Sequence, residues 1–155
     1  MVRKLPHFAR WSLRLPATLA VGGFLIEVPL NRGSRAGERL AARLGPDEWL
    51  LVAPADDAPD FGALEGRHHS LVDVSHRYAA FAVEGQAAPL VLAAGCPLDL
   101  EPAVFTAGSA TRTLLGKAEV ILWRLEEAPS YRLECARSFA PYVERFLNEA
   151  AREYP

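Results

Sequence analysis

The chain has 155 residues, half of them hydrophobic and 23% charged, a composition that belongs to a soluble globular domain and excludes a disordered segment. Its 17 Lys and Arg against 19 Asp and Glu leave a formal net charge of -2, too weak a field to gather nucleic-acid phosphates or an anionic membrane. A chain of this length can bury about two-thirds of its unfolded surface in one core, so one domain over 1–155 is expected, with 1–14 as a candidate extended arm.

Near the N-terminus, Arg3, Lys4, Arg10 and Arg14 precede an apolar run over 15–26. The run imitates a secretory signal but lacks a small-residue cleavage site, and it is too short to span a bilayer. A cytoplasmic chain with no membrane segment is expected. Val21-Gly22-Gly23 reads as a turn into a strand over 24–30. Residues 34–44 read as a short helix with Ser34 as N-cap, stopped by Gly45-Pro46. A strand follows at 49–52, and the Pro, Asp, Ala and Gly of 54–66 form a surface loop.

Strands are expected at 70–74 and 79–83, paired across 75–78, and then a small buried helix at 87–94 halted by Gly95 and Pro97. The stretch 111–126 is β-rich and broken at Gly116, with Ile121, Trp123 and Leu125 on one face of a half-buried strand. Tyr131, Leu133 and Cys135 alternate in the next strand, so the two form an antiparallel hairpin joined near 128–130. Phe139, Tyr142, Val143, Phe146, Leu147, Ala150 and Tyr154 recur at helical spacing opposite Glu144, Arg145, Asn148, Glu149 and Arg152. That is a C-terminal amphipathic helix, with Ser138 as N-cap and Pro141 in its first turn. The fold class is α+β: a mostly antiparallel sheet with two short helices and a long C-terminal one.

Reactive constellations are sparse. The 108–117 string ends in Gly-Lys, but seven residues separate its glycines and Ala118 follows the lysine, so it cannot curl round a phosphate or hold magnesium as a phosphate loop does. His68 and His69 point to opposite faces of any strand and cannot both join His76 and Asp73 around a metal. Ser75 lacks a nucleophile elbow. Asp47 and Glu48 read as turn carboxylates, and Cys96 and Cys135 as free thiols in a reducing compartment. No catalytic residue, metal site or cofactor site is assigned.

Five blocks nonetheless stand in a fixed order: Leu44-Gly45-Pro46-Asp47-Glu48-Trp49-Leu50-Leu51, Asp73-Val74-Ser75-His76-Arg77, Gly95-Cys96-Pro97-Leu98-Asp99-Leu100, Arg112-Thr113-Leu114-Leu115-Gly116-Lys117-Ala118 and Arg137-Ser138-Phe139-Ala140-Pro141-Tyr142. Together they resemble the sarcosine oxidase gamma subunit family, and more distantly the folate-binding fold of glycine-cleavage aminomethyltransferase. The resemblance implies a small non-catalytic subunit of a heterotetramer that demethylates sarcosine to glycine and passes the one-carbon unit to tetrahydrofolate. It also implies that FAD, FMN, NAD and tetrahydrofolate sit on other subunits, and that the partners are the larger subunits, alpha first among them. A free-standing folate-binding transferase module and a non-enzymatic scaffold are the alternatives. Within the blocks, Arg77 and Arg112 are candidate subunit-interface residues, since a planar guanidinium grips carboxylates and is weakly hydrated, with Trp49 as an aromatic anchor; internal salt bridges that pin loops, to Asp47 or Asp99, are the alternative for the arginines.

Overall fold

The computed structural model of the chain describes residues 1–154. In chain order the strands are β1 (Val2–Lys4), β2 (Phe8–Arg14), β3 (Gly33–Ala36), β4 (Arg39–Gly45), β5 (Glu48–Pro54), β6 (Ser70–Asp73), β7 (Tyr78–Glu84), β8 (Ser109–Leu115), β9 (Ala118–Arg124) and β10 (Ser130–Ala136), and the helices are α1 (Ala88–Ala93) and α2 (Ala140–Ala151). The chain gathers into two compact units. An inserted unit is the contiguous stretch His7–Ser75, and a flanking unit joins Met1–Pro6 to His76–Pro155. Residues 1–14 are therefore no free arm, because β1 pairs with β7 and β2 with β5 and β6.

The inserted unit is one antiparallel sheet in the order β3-β4-β5-β2-β6. Leu13, Trp49, Leu51, Ala41 and Ala53 come from its strands, and Leu15, Val21, Phe24, Ile26 and Leu64 from its loops, to build the core. The helix expected over 34–44 is instead the β3–β4 hairpin, in which Ala36 faces Arg39 across Gly37 and Glu38. Gly37 takes φ 62°, the left-handed conformation that two-residue hairpin loops place at glycine. Local turn chemistry thus overrode a helix-compatible composition. The strand expected over 24–30 is also absent, although Phe24 and Ile26 are buried while Leu25 and Glu27 are exposed. Its carbonyls go to side chains rather than to a ladder: Trp49 Nε1 donates to Ile26 O at 2.9 Å, Arg43 Nη1 to Val28 O at 3.1 Å, and Ser34 Oγ to Leu25 O.

The flanking unit is a second antiparallel sheet, ordered β1-β7-β10-β9-β8. Phe81, Val83, Leu133, Cys135, Val120 and Leu122 line one face and pack with Val91 and Leu92 of α1 and Val143 and Leu147 of α2. The strands expected at 70–74 and 79–83 both form, but β6 pairs with β2 and β7 with β1 and β10, so they do not pair with each other. The 3-10 turn Ser75–Arg77 between them carries the chain from one sheet to the other. The β9–β10 hairpin forms as expected, but β9 is buried on both faces from Val120 to Arg124 rather than on one. Ser138 does not cap α2: a 3-10 turn, Arg137–Phe139, precedes the helix, and Phe139 is its N-cap residue. That turn shifts the phase of the apolar stripe, leaving Phe139 exposed while Val143 and Leu147 are buried. Pro141 lies in the first turn, as expected.

Candidate docking surface

Arg112 projects from β8, the last strand of the flanking sheet, directly opposite Ile121 of β9. Ile121 in turn faces Glu134 of β10, and Glu134 faces Ala80 of β7. Residues paired across strands share a face, so Arg112, Ile121, Glu134 and Ala80 form one row across the sheet. Arg77 enters the same neighbourhood from the turn before β7, with its guanidinium carbon 5.6 Å from the centre of the Tyr78 ring. Burial pushes the Tyr78 hydroxyl above its usual range; Arg77 and Arg112 pull it back, and Glu134 and Glu119 add to the rise. Both exposed arginines therefore act on one tyrosine. Glu134, fully buried, is held by Arg132 Nη2 at 2.7 Å, which matches a buried charge with an opposite one.

Trp49 lies elsewhere, in the inserted unit, and is 1% exposed. Its indole N–H is bound to Ile26 O, and Arg43 sits 5.2 Å over its ring. In this conformation it offers a partner no apolar area. Sequence reasoning missed Leu114, which is 48% exposed two residues beyond Arg112. The alternation of Leu114 with Thr113 and Leu115 was its available signal.

The other sequence motifs resolve into structural roles. Arg10 N–H donates to Ser75 Oγ at 2.9 Å, and Ser75 N–H to Asp73 Oδ1 at 2.9 Å, so the serine ties β2 to the end of β6. Among the described residues, no group of three or more His, Cys, Asp and Glu is placed to hold a metal ion, and no helix is long and apolar enough to cross a membrane. The 108–117 string is β8 and the turn into β9.

Open grooves accompany these elements. One of about 620 Å³ runs along α2 beside Tyr142, Phe146 and Ala150. A second, about 360 Å³, is lined by Leu19, Phe24, Ile26 and Val28. Another, about 460 Å³, is polar and lies at Arg39 and Asp57. There Arg39 grips Asp57 through Nε at 2.7 Å and Nη2 at 2.8 Å and gives Nη1 to Gly22 O. The hydrogen bonds from Arg39 hold the Asp57 carboxyl below the usual carboxylate range. A depressed folded pKa contributes stability above the unfolded value, and that stability is lost as pH falls through the folded one. Amide exchange in the 54–61 loop is therefore expected to speed up only below the normal aspartate range, and Asp57→Asn should show the fast exchange already at neutral pH. Equal loop exchange in both proteins across that range would remove the pair's role.

A model of the "Sarcosine oxidase, gamma subunit family" matches residues 17–153. "Sarcosine oxidase subunit gamma" of Corynebacterium sp. strain P-1 is 38% identical over 114 residues, covering 72% of this chain and 56% of that protein. Its counterpart from an Arthrobacter species is 35% identical over the same shares. The chain thus spans about half the length of the curated relatives it matches. Among solved structures, a chain of the heterotetrameric sarcosine oxidase from Corynebacterium sp. U-96, in complex with pyrrole 2-carboxylate, superposes with a TM-score of 0.86 at 28% identity, over 99% of this chain and 84% of that one. Aminomethyltransferase T of the glycine cleavage system from Bartonella henselae reaches a TM-score of 0.67 at 15% identity over 94% of this chain and 44% of its own, a likeness of fold alone. With a family match that begins at residue 17 and runs almost to the C-terminus, the chain belongs to the sarcosine oxidase gamma subunit family.

Proposed function

We propose that the chain is a non-catalytic gamma subunit of a cytoplasmic heterotetrameric sarcosine oxidase. Its complex would move two electrons from the N-methyl group of sarcosine to oxygen, giving hydrogen peroxide and glycine, with the carbon passed to tetrahydrofolate. FAD, FMN, NAD and folate would sit on the larger subunits, with alpha as the direct partner. The observation that carries this reading is the superposition along 99% of the chain on one chain of a heterotetrameric sarcosine oxidase. The docking surface proposed includes Arg77 and Arg112, both exposed, with Arg77 5.6 Å from the centre of the Tyr78 ring.

Co-expression with the larger subunits of the same organism tests it. The free chain is expected to be colourless and to make no peroxide from sarcosine, whereas the co-purified assembly is yellow and active. Arg112→Glu should abolish co-purification and leave the melting temperature of the free chain nearly unchanged, because an exposed edge-strand arginine contributes about 1 kcal/mol or less to folding. Normal assembly of Arg112→Glu would acquit this surface. A flavin spectrum in the free chain, or its tight binding of tetrahydrofolate in calorimetry, would favour a free-standing one-carbon module instead.

A further inference from the structure

The two sheets end in four edges, and three of them are blunted. β1 has 3 residues, carries Arg3 and Lys4 and is followed by Pro6; β3 and β6 have 4 residues each. Short strands, cationic side chains and proline are the usual defences of an edge against pairing with another chain. β8 is the least blunted: it runs 7 residues without proline and with Arg112 as its one cation, in unbroken register with β9 from Ser109 opposite Arg124 to Leu115 opposite Ala118. The turn of Gly116 and Lys117 makes Leu115 and Ala118 the hydrogen-bonded pair that closes the hairpin. Bonded and non-bonded pairs alternate in an antiparallel ladder, so the N–H of Leu114 points away from β9. Its side chain is 48% exposed at the same place.

Resting on the gamma-subunit reading, we propose that β8 is the edge at which an extended, carboxylate-bearing strand of a larger subunit adds to the flanking sheet. Strand addition takes its affinity from main-chain hydrogen bonds and its specificity from alternate side chains. Here those side chains are Leu114, an apolar contact, and Arg112, a partner for a carboxylate. A second copy of this chain suits the edge poorly. Arg112 is the middle residue of β8, so two-fold antiparallel pairing would set Arg112 against Arg112, and like charges directly opposed are destabilising.

Hydrogen exchange in the free chain and in the co-expressed complex reads the edge directly. The Leu114 amide is expected to slow at least about tenfold on assembly, as for an amide entering a ladder. Leu114→Pro removes that donor at a position whose N–H is not used by β9, so the free chain should keep its melting temperature while co-purified larger subunits fall about tenfold or more. Leu114→Ala, which keeps the N–H, should assemble within a few-fold of wild type. If wild type assembles but the Leu114 amide does not slow, the edge proposal falls and the gamma-subunit reading stands, whether or not Leu114→Pro folds. If wild type does not assemble with the larger subunits at all, both fall. A free chain that is dimeric with a protected Leu114 amide would make the occupant a second copy and overturn the assignment.

Discussion

Trp49→Ala is expected to destabilise the inserted unit by about 3 to 5 kcal/mol, the cost of deleting a fully buried large aromatic whose site cannot collapse. The ring is 1% exposed and belongs to the core formed with Leu13, Leu51 and Ile26. It also has a second function, because its N–H is the donor bound to Ile26 O in a segment that joins no ladder. Trp49→Phe keeps much of the volume but removes one of the two donors to that carbonyl, leaving only Val28 N–H at 2.9 Å, so a smaller loss of about 1 kcal/mol is expected. Urea unfolding of the free chain measures both. A Trp49→Ala protein that unfolds like wild type yet fails to assemble would restore the indole as an interface anchor.

Gly95→Val is expected to loosen the flanking unit by about 3 kcal/mol, and Gly95→Ala by about 1 to 3, as overpacking of a filled contact does. Gly95 follows α1, and its carbonyl accepts from Gly116 N–H at 2.9 Å, so the helix end is tied to the β8–β9 turn. A Cβ built there would run into the Phe146 ring and lie 2.9 Å from Gly116 N. One obstacle is backbone and the other an aromatic of α2 packed against the core, so neither yields cheaply. The reason for glycine here is space rather than dihedral freedom. Thermal unfolding together with near-ultraviolet circular dichroism checks it; a loss under about 0.5 kcal/mol would mean that α2 shifts without resistance.

The α2 helix was legible because its buried positions recur at helical spacing over three turns. The β9–β10 hairpin was legible because Pro129 and Ser130 separate two alternating runs. The 34–44 segment misled because Arg, Ala, Glu and Leu suit a helix well, whereas its outcome depended on Gly37 taking a hairpin conformation and on β5 being present to pair with β4. Pairing of β6 and β7 was inferred from adjacency, the usual tendency of sequential strands, but the 3-10 turn Ser75–Arg77 sends them to different sheets. Of the three interface candidates, Arg77 and Arg112 are exposed, which the sequence alone left open, since a guanidinium can also be buried against an internal carboxylate. Trp49 could not be placed that way: nothing local announces that Ile26, in a segment 23 positions earlier, offers its carbonyl to the indole.

The position of β1 also sets an order of events for a chain leaving the ribosome. Val2 pairs with Val83, so β1 emerges well ahead of β7 and must wait for the whole of His7–Ser75 before that neighbour exists. The inserted unit is contiguous and has its own sheet and core, which lets it form while β1 is still single. Closing the long loop between β1 and β7 carries a chain-entropy cost that rises slowly with length, and a unit already folded within that loop shortens its effective span. Nascent chains stalled shortly after residue 84 has cleared the tunnel should therefore protect the amides of β2 and β5 before those of β1 and β7.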